Sequence, residues 1–144
     1  DDFSRELKEL AKNDERIIFT GFVQGQLLEE LYSNSYVYVL PSDLEGMPLS
    51  LLEAMSYGNC CVVSDIAECA EVVEDKAVVF QKSNVEQLKD KLQELCDHPE
   101  KVKVYKDSAS DFICQKYSWD DVVERTVTLY RNGQMGEQYE KGTL

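Results

Sequence analysis

Glu45 and Glu53 stand eight residues apart in the segment Pro41-Ser42-Asp43-Leu44-Glu45-Gly46-Met47-Pro48-Leu49-Ser50-Leu51-Leu52-Glu53-Ala54-Met55. An ionised carboxylate only accepts hydrogen bonds, and the paired hydroxyls of a sugar or a ribose are donors that suit it. Gly46 allows the backbone to come close to a ligand or to take a left-handed turn. Pro48 falls where a first helical turn tolerates proline, so a helix beginning near Leu49 would offer the N–H groups of about residues 49 to 51 to an anion such as a diphosphate. Glu45 precedes that helix and Glu53 lies just over one turn inside it, so both carboxylates are expected to open to one cleft. Two acids flanking a phosphate-binding helix start fit a nucleotide sugar. The plainer alternative is a loop carboxylate and a helix-surface carboxylate, and the spacing alone favours it, since two glutamates eight apart are common.

The elements that must position this segment follow from apolar periodicity. Leu7, Leu10 and Ala11 recur at helical spacing in Ser4 to Asn13, leading into the apolar run Ile17-Ile18-Phe19, read as a strand that Gly21 ends. Leu27, Leu28, Leu31 and Tyr32 form an amphipathic stripe, closed by Ser33-Asn34-Ser35. Tyr36-Val37-Tyr38-Val39-Leu40 is uniformly apolar and β-prone, as a strand covered on both faces would be, and Pro41 stops it. After the loop from Ser42 to Met47 a helix over Leu49 to Tyr57 is expected, with Gly58 as its cap. The alternation continues with a strand at Cys60 to Ser64, a short helix near Cys69 to Glu74, a strand at Ala77 to Phe80 and a helix over Val85 to Cys96. Helices over Pro99 to Tyr117 and Asp120 to Tyr130 follow, the latter with Val122, Val123, Val127 and Tyr130 on one side. Such β-α alternation argues an α/β, doubly wound parallel sheet, which places the Glu45 segment at the carboxyl end of a strand, where ligands bind in these sheets. The tail over 132–144 carries Gly133, Gly136 and Gly142 with few apolar residues and is expected to be disordered unless it docks.

The 144 residues suit one core, and no apolar run approaches the roughly 18 residues that span a bilayer. A net charge of -13 disfavours nucleic acid and anionic lipid as partners. Cys60, Cys61, Cys69, Cys96 and Cys114 are odd in number and form no C-x-x-C pair, so buried reduced thiols are expected rather than disulfides or a zinc site. Cys60 and Cys61 should point to opposite sheet faces. The lone His98, before Pro99 at a helix end, reads as structural. Asp1-Asp2-Phe3-Ser4 has neither the basic nor the apolar region of a signal peptide, so a cytoplasmic location is expected.

Glu45-Gly46-Met47-Pro48-Leu49, continued to Glu53-Ala54-Met55 with Gly58 and Val62-Val63-Ser64-Asp65 after it, resembles the E-x7-E segment of family-four (group 1) retaining glycosyltransferases of the GT-B class. The likeness extends to IIFTGFV at 17–23, YVYVLPS at 36–42, Glu71-Val72-Val73-Glu74-Asp75 and Tyr117-Ser118-Trp119-Asp120, and so covers nearly all of residues 1–131. It implies a Rossmann-like half of a GT-B fold: a partial C-terminal nucleotide-sugar-binding domain over 1–131, then the polar tail. By the same resemblance Glu45 is the catalytic carboxylate and contacts hydroxyls of the transferred sugar, with Gly46 and Met47 lending backbone groups. Leu49 and Ser50 would present N–H to the diphosphate, Glu53 would hold the ribose hydroxyls, and Gly21, Phe22 and Val23 would line the base. No metal or cofactor is implied, because helix dipole and basic side chains neutralise the leaving diphosphate.

The pattern departs from the family in two places: Ala67-Glu68 stands where Gly-Gly is common, and Cys60 where proline is usual. Those changes are expected to alter a loop and leave the glutamates untouched. The resemblance also implies two further strands and a helix before Asp1, bearing the Arg and Lys that grip the diphosphate, and before them an acceptor-binding domain. The expected function is sugar transfer from a nucleoside diphosphate sugar to a glycan, glycolipid or polysaccharide, carried out by the full-length enzyme in the cytoplasm or at the inner membrane face. Any membrane contact would come through the missing half, and the chain alone is expected to be inactive. Two rivals stay open: a non-catalytic interaction module derived from such a domain, and a sugar-phosphorylating or epimerising enzyme with the same two-domain cleft.

Overall fold

The computed structural model describes residues 2–118 together with 120, 123, 124, 127 and 128. The chain divides into two compact units, Asp1–Leu31 and Tyr32–Leu144.

In the first unit α1 (Asp2–Ala11) carries its apolar side chains on one face yet buries none of them. Leu7, Leu10 and Ala11 meet Ile17 and Phe19 along a shallow groove, and the Lys8 ammonium lies 6.0 Å from the Phe19 ring centre. The expected strand at Ile17-Ile18-Phe19 is not formed. Those residues are exposed and carry no ladder, and the sheet among the described residues contains only the three strands given below. A strand exists only by pairing its N–H and C=O groups with a neighbour, so a β-prone run without one stays irregular.

The second unit opens on the end of α2 (Gln26–Asn34) and then alternates: β1 (Tyr38–Leu40), α3 (Leu49–Ser56), β2 (Cys61–Ser64), α4 (Ala67–Val73), β3 (Val78–Phe80), α5 (Val85–Asp97) and α6 (Pro99–Lys116). The strands form one parallel sheet in the order β1-β2-β3, with Val39 opposite Val62 and Val63 opposite Val79. The α/β reading is thus borne out, and α3 begins at the predicted residue. Two details differ. β1 is shorter than the apolar run around it and only half covered, and among the described residues it has a neighbour on one side alone. Cys96 on α5 and Cys114 on α6 are exposed rather than buried. Of the predicted helix over Asp120 to Tyr130, residues 120, 123, 124, 127 and 128 are helical; its other positions and the tail over 132–144 lie outside the described residues.

Of the described strands only β2 is buried throughout, as the middle strand of a sheet covered on both faces must be. Cys60 and Val62 join Phe80, Leu95 and Val102 in a cluster under α5 and α6. Cys61 and Val63 are one residue out of phase and face the other layer, where α3 and α4 pack on β2 with Leu51, Ala54, Met55, Val72 and Val73 buried. Burial pushes the Cys60 thiol up to about 11 and the Cys61 thiol up to about 12, so neither is a nucleophile at ordinary pH.

A buried staple ends α3. Gly58 donates to Met55 O at 2.9 Å and Asn59 to Ala54 O at 3.2 Å, the paired bonds of a Schellman ending, with Gly58 at φ 72°. The Asn59 side chain spans from Tyr32 O (2.9 Å) to Ala54 O (3.0 Å) and so joins the end of α2 to the end of α3. A Cβ on Gly58 would lie 3.6 Å from Lys106 O, an ordinary contact, so the cost of Gly58→Ala is the left-handed backbone alone. Urea unfolding should register a loss of about 1 to 2 kcal/mol. An unchanged midpoint would mean the helix ending adjusts freely.

Candidate functional site

All three strands run parallel, so their carboxyl ends, Leu40, Ser64 and Phe80, release three loops on one edge of the sheet. Side chains lace these loops together. Ser64 Oγ donates to Ser42 O, and Ser83 Oγ donates to both Asp43 oxygens at 2.9 and 3.1 Å. The Asp65 carboxylate accepts from the Lys82 N–H at 2.7 Å. The segment after β1 is therefore tied to the turns after β2 and β3, which gives a loop with four exposed or half-exposed apolar and acidic side chains a defined shape.

Glu45 sits on that loop, half-buried, with its Oε1 accepting from Ser42 Oγ at 2.5 Å. Its negative charge helps raise the pKa of the Tyr38 hydroxyl, although burial of Tyr38 is the larger cause. Gly46 does not take a left-handed conformation, and a Cβ there would meet no atom within 4 Å. Of its two expected roles, open space for close approach is the one its surroundings permit. Met47 is half-exposed beside it, while Pro48 is fully buried and seats the start of α3.

The N-terminus of α3 is more occupied than the sequence suggests. The Leu49 N–H donates to Met47 O at 2.8 Å and the Leu51 N–H to Pro48 O at 3.0 Å, so the first turn is wound tightly on the loop's own carbonyls. The Ser50 N–H has no protein acceptor among the described residues, and the Ser50 hydroxyl accepts from Tyr38 Oη at 2.9 Å. The Leu49 N–H is thus engaged by the loop's own carbonyl, and of that pair the Ser50 N–H is the one without a protein acceptor among the described residues.

Glu53 is exposed on the second turn of α3, and its Oε2 accepts from Tyr32 Oη at 3.2 Å. It also lines a shallow groove of about 240 Å³ with Leu52, Ser56, Ile113, Cys114 and Tyr117, between α3 and α6. Glu45 does not line that groove. The two glutamates are instead connected through the interior of the site: Tyr38 lies near Glu45 and bonds Ser50, while Tyr32 bonds Glu53 and approaches Ser50 O at 3.4 Å. Periodicity missed these hydroxyls because Tyr32 and Tyr38 count as apolar in a helix stripe and a strand; a tyrosine where leucine or valine would pack equally well was the available signal. Gly21, Phe22 and Val23 belong to the first unit, where Gly21 adopts φ 66° and Phe22 is exposed.

His98 lies between α5 and α6 with Nδ1 at 3.0 Å from Glu100, remote from these loops in the fold's element order. Among the described residues no three His, Cys, Asp or Glu side chains gather as a metal site requires, and no helix is long and apolar enough to cross a membrane.

A parallel α/β layer whose laced loops carry acidic side chains at the carboxyl edge is a Rossmann-like ligand-binding arrangement. The chain belongs to the glycosyl transferases group 1 family, which matches it over residues 1–112. It is 30% identical over 121 residues to an uncharacterized glycosyltransferase of Methanocaldococcus jannaschii, covering 81% of this chain and 30% of the relative. It is 29% identical over 133 residues to the O-antigen chain mannosyltransferase B of Escherichia coli, covering 91% of this chain and 34% of that protein. The sucrose-phosphate synthase of Thermosynechococcus elongatus shares the fold with a TM-score of 0.81 at 20% identity, over 92% of this chain and 34% of the other. The chain spans about a third of the length of the relatives it matches.

Proposed function

We propose that this chain is the donor-binding part of a retaining glycosyltransferase that moves a hexose-type sugar from a nucleoside diphosphate to a glycan, glycolipid or polysaccharide acceptor. The observation that carries the reading is the placement of Glu45 and Glu53 on either side of the α3 start, at the carboxyl edge of a parallel sheet. Glu45, held by Ser42, accepts from hydroxyls of the transferred sugar, and the open space at Gly46 lets the sugar approach the backbone. Met47 contributes a backbone group beside it. The diphosphate lies over the Ser50 N–H, and Leu49 joins only if the first turn loosens. Glu53 accepts from the ribose hydroxyls; the base contacts expected of Gly21, Phe22 and Val23 belong to the first unit. The charge leaving with the diphosphate is met by helix N–H groups and by basic side chains elsewhere in the full-length protein, without a metal. The acceptor is held outside this chain, so the chain alone binds donor and does not turn it over. Transfer takes place on the cytoplasmic side.

The test is titration calorimetry of the full-length protein with UDP and with GDP. Glu53→Ala should weaken whichever nucleotide the wild type binds by about tenfold to a hundredfold, the worth of hydrogen bonds to a charged acceptor. Unchanged affinity would reduce Glu53 to a surface carboxylate and remove the ribose contact from the reading.

A further inference from the structure

Tyr32 is the residue around which the Glu53 side of the site is organised, although it lies 21 positions away and on another helix. The residue is only 8% exposed, and its ring is stacked on Tyr57 at 5.5 Å between centres and tilted against Tyr38 at 5.9 Å. Its backbone is pinned as well, because Asn59 Nδ2 donates to Tyr32 O at 2.9 Å. A side chain held at both ends puts its hydroxyl at one point in space. That hydroxyl lies 3.2 Å from Glu53 Oε2 and 3.4 Å from Ser50 O, and its single proton goes to the nearer, charged acceptor, Glu53.

Glu53 has no comparable restraint of its own. It stands exposed on a helix with several rotatable bonds, and its Oε1 accepts from no protein donor among the described residues. Left alone such a side chain samples many rotamers, and a ligand must then supply the cost of fixing it. With Oε2 anchored, Oε1 and the remaining lone pair of Oε2 are presented together to a pair of neighbouring hydroxyls.

Resting on the proposed ribose contact, we infer that Tyr32 is a positioning residue that fixes Glu53 for a vicinal diol and thereby makes the domain select nucleotides bearing both ribose hydroxyls. Burial, chiefly, pushes the Tyr32 hydroxyl up to about 12, so it remains a donor throughout the ordinary pH range and the anchor does not switch off.

The experiment measures UDP and GDP, and their dideoxyribose counterparts, by calorimetry on the full-length protein as wild type, Tyr32→Phe, Glu53→Ala and the double variant. Tyr32→Phe keeps the ring stack and removes only the hydroxyl, and a thermal melt confirms that it is folded. It should weaken the ribonucleotide by about twofold to tenfold, the cost of immobilising one flexible side chain, and leave the dideoxy form unchanged. In the Glu53→Ala background the same substitution should cost nothing further. Equal weakening of the ribo and dideoxy forms, a further loss without Glu53, or no effect at all would each overturn the inference and show Tyr32 to be a packing residue. If Glu53→Ala itself fails to narrow the ribo-to-dideoxy preference, the ribose contact proposed above falls, and this inference falls with it; if Glu53→Ala narrows it and Tyr32→Phe does not, only the positioning role is lost.

Discussion

If Glu45 contacts the transferred sugar as proposed, replacing it by Gln in the full-length protein should lower kcat/KM for sugar transfer by about a hundredfold to a thousandfold, the scale on which one preorganised charged contact acts in a transition state. The argument is electrostatic. A glycosyl group in transfer acquires positive charge at its anomeric centre, and a carboxylate held against the sugar is worth more to that charged state than to the neutral donor. Glu45 is half-buried, which strengthens the effect, and Ser42 Oγ at 2.5 Å fixes the direction of its carboxylate. Gln keeps the shape and one acceptor but loses the charge. The Kd for the nucleoside diphosphate, which lacks the sugar, should stay within about twofold, because the contacts proposed for it lie at Ser50 and Glu53. A transfer assay with labelled nucleotide sugars gives the first number and calorimetry the second. Full activity in the variant would place the sugar elsewhere; a matching loss of diphosphate affinity would show that Glu45 acts by shaping the α3 start.

The fold is legible in the sequence to different depths, for physical reasons that differ by element. The β1-α3-β2 passage was legible because a fully apolar run, a proline stop, a second proline and a glycine ending each have one cheap conformation, and all of them agree. Gly58 is the clearest instance: only a left-handed ending serves there, and φ is 72°. Ile17 to Phe19 misled because β propensity says that a segment fits a sheet and is silent on whether a neighbouring strand is present. The bond of the Leu49 N–H to Met47 O was not legible for a local reason, since the helix-start rule counts four unpaired donors and Met47 O takes one of them through a tight turn. The Tyr32 contact to Glu53 could not be read at all. It depends on how the ends of α2 and α3 are brought together, which Asn59 does through a buried side chain that has no periodic signature.

Leu51→Ala should cost about 3 to 5 kcal/mol of unfolding free energy and lower the melting temperature by at least about 10 °C. Leu51 is fully buried, in the first turn of α3, immediately beneath the residues proposed to hold the diphosphate. Its neighbours cannot close over the space it leaves. Pro48 ahead of it is also fully buried, Ala54 and Met55 are pinned by the bonds that end the helix, and β2 beneath is fully buried and paired on both edges. A cavity that cannot collapse costs the lost contacts as well as the transfer energy, which puts this site at the upper end of the usual range. Function should follow stability here. A shifted α3 start moves the Ser50 N–H and Glu53 together, so nucleotide affinity should fall even at a temperature where the variant is fully folded. Leu51→Met, which keeps the volume, should cost less than about 1.5 kcal/mol and retain binding. Urea unfolding of the three proteins, with nucleotide titration well below the melting point, separates the two effects. If Leu51→Ala loses less than about 1 kcal/mol, the α3 layer is looser than its burial indicates, and the tight placement of the site over it would have to be abandoned.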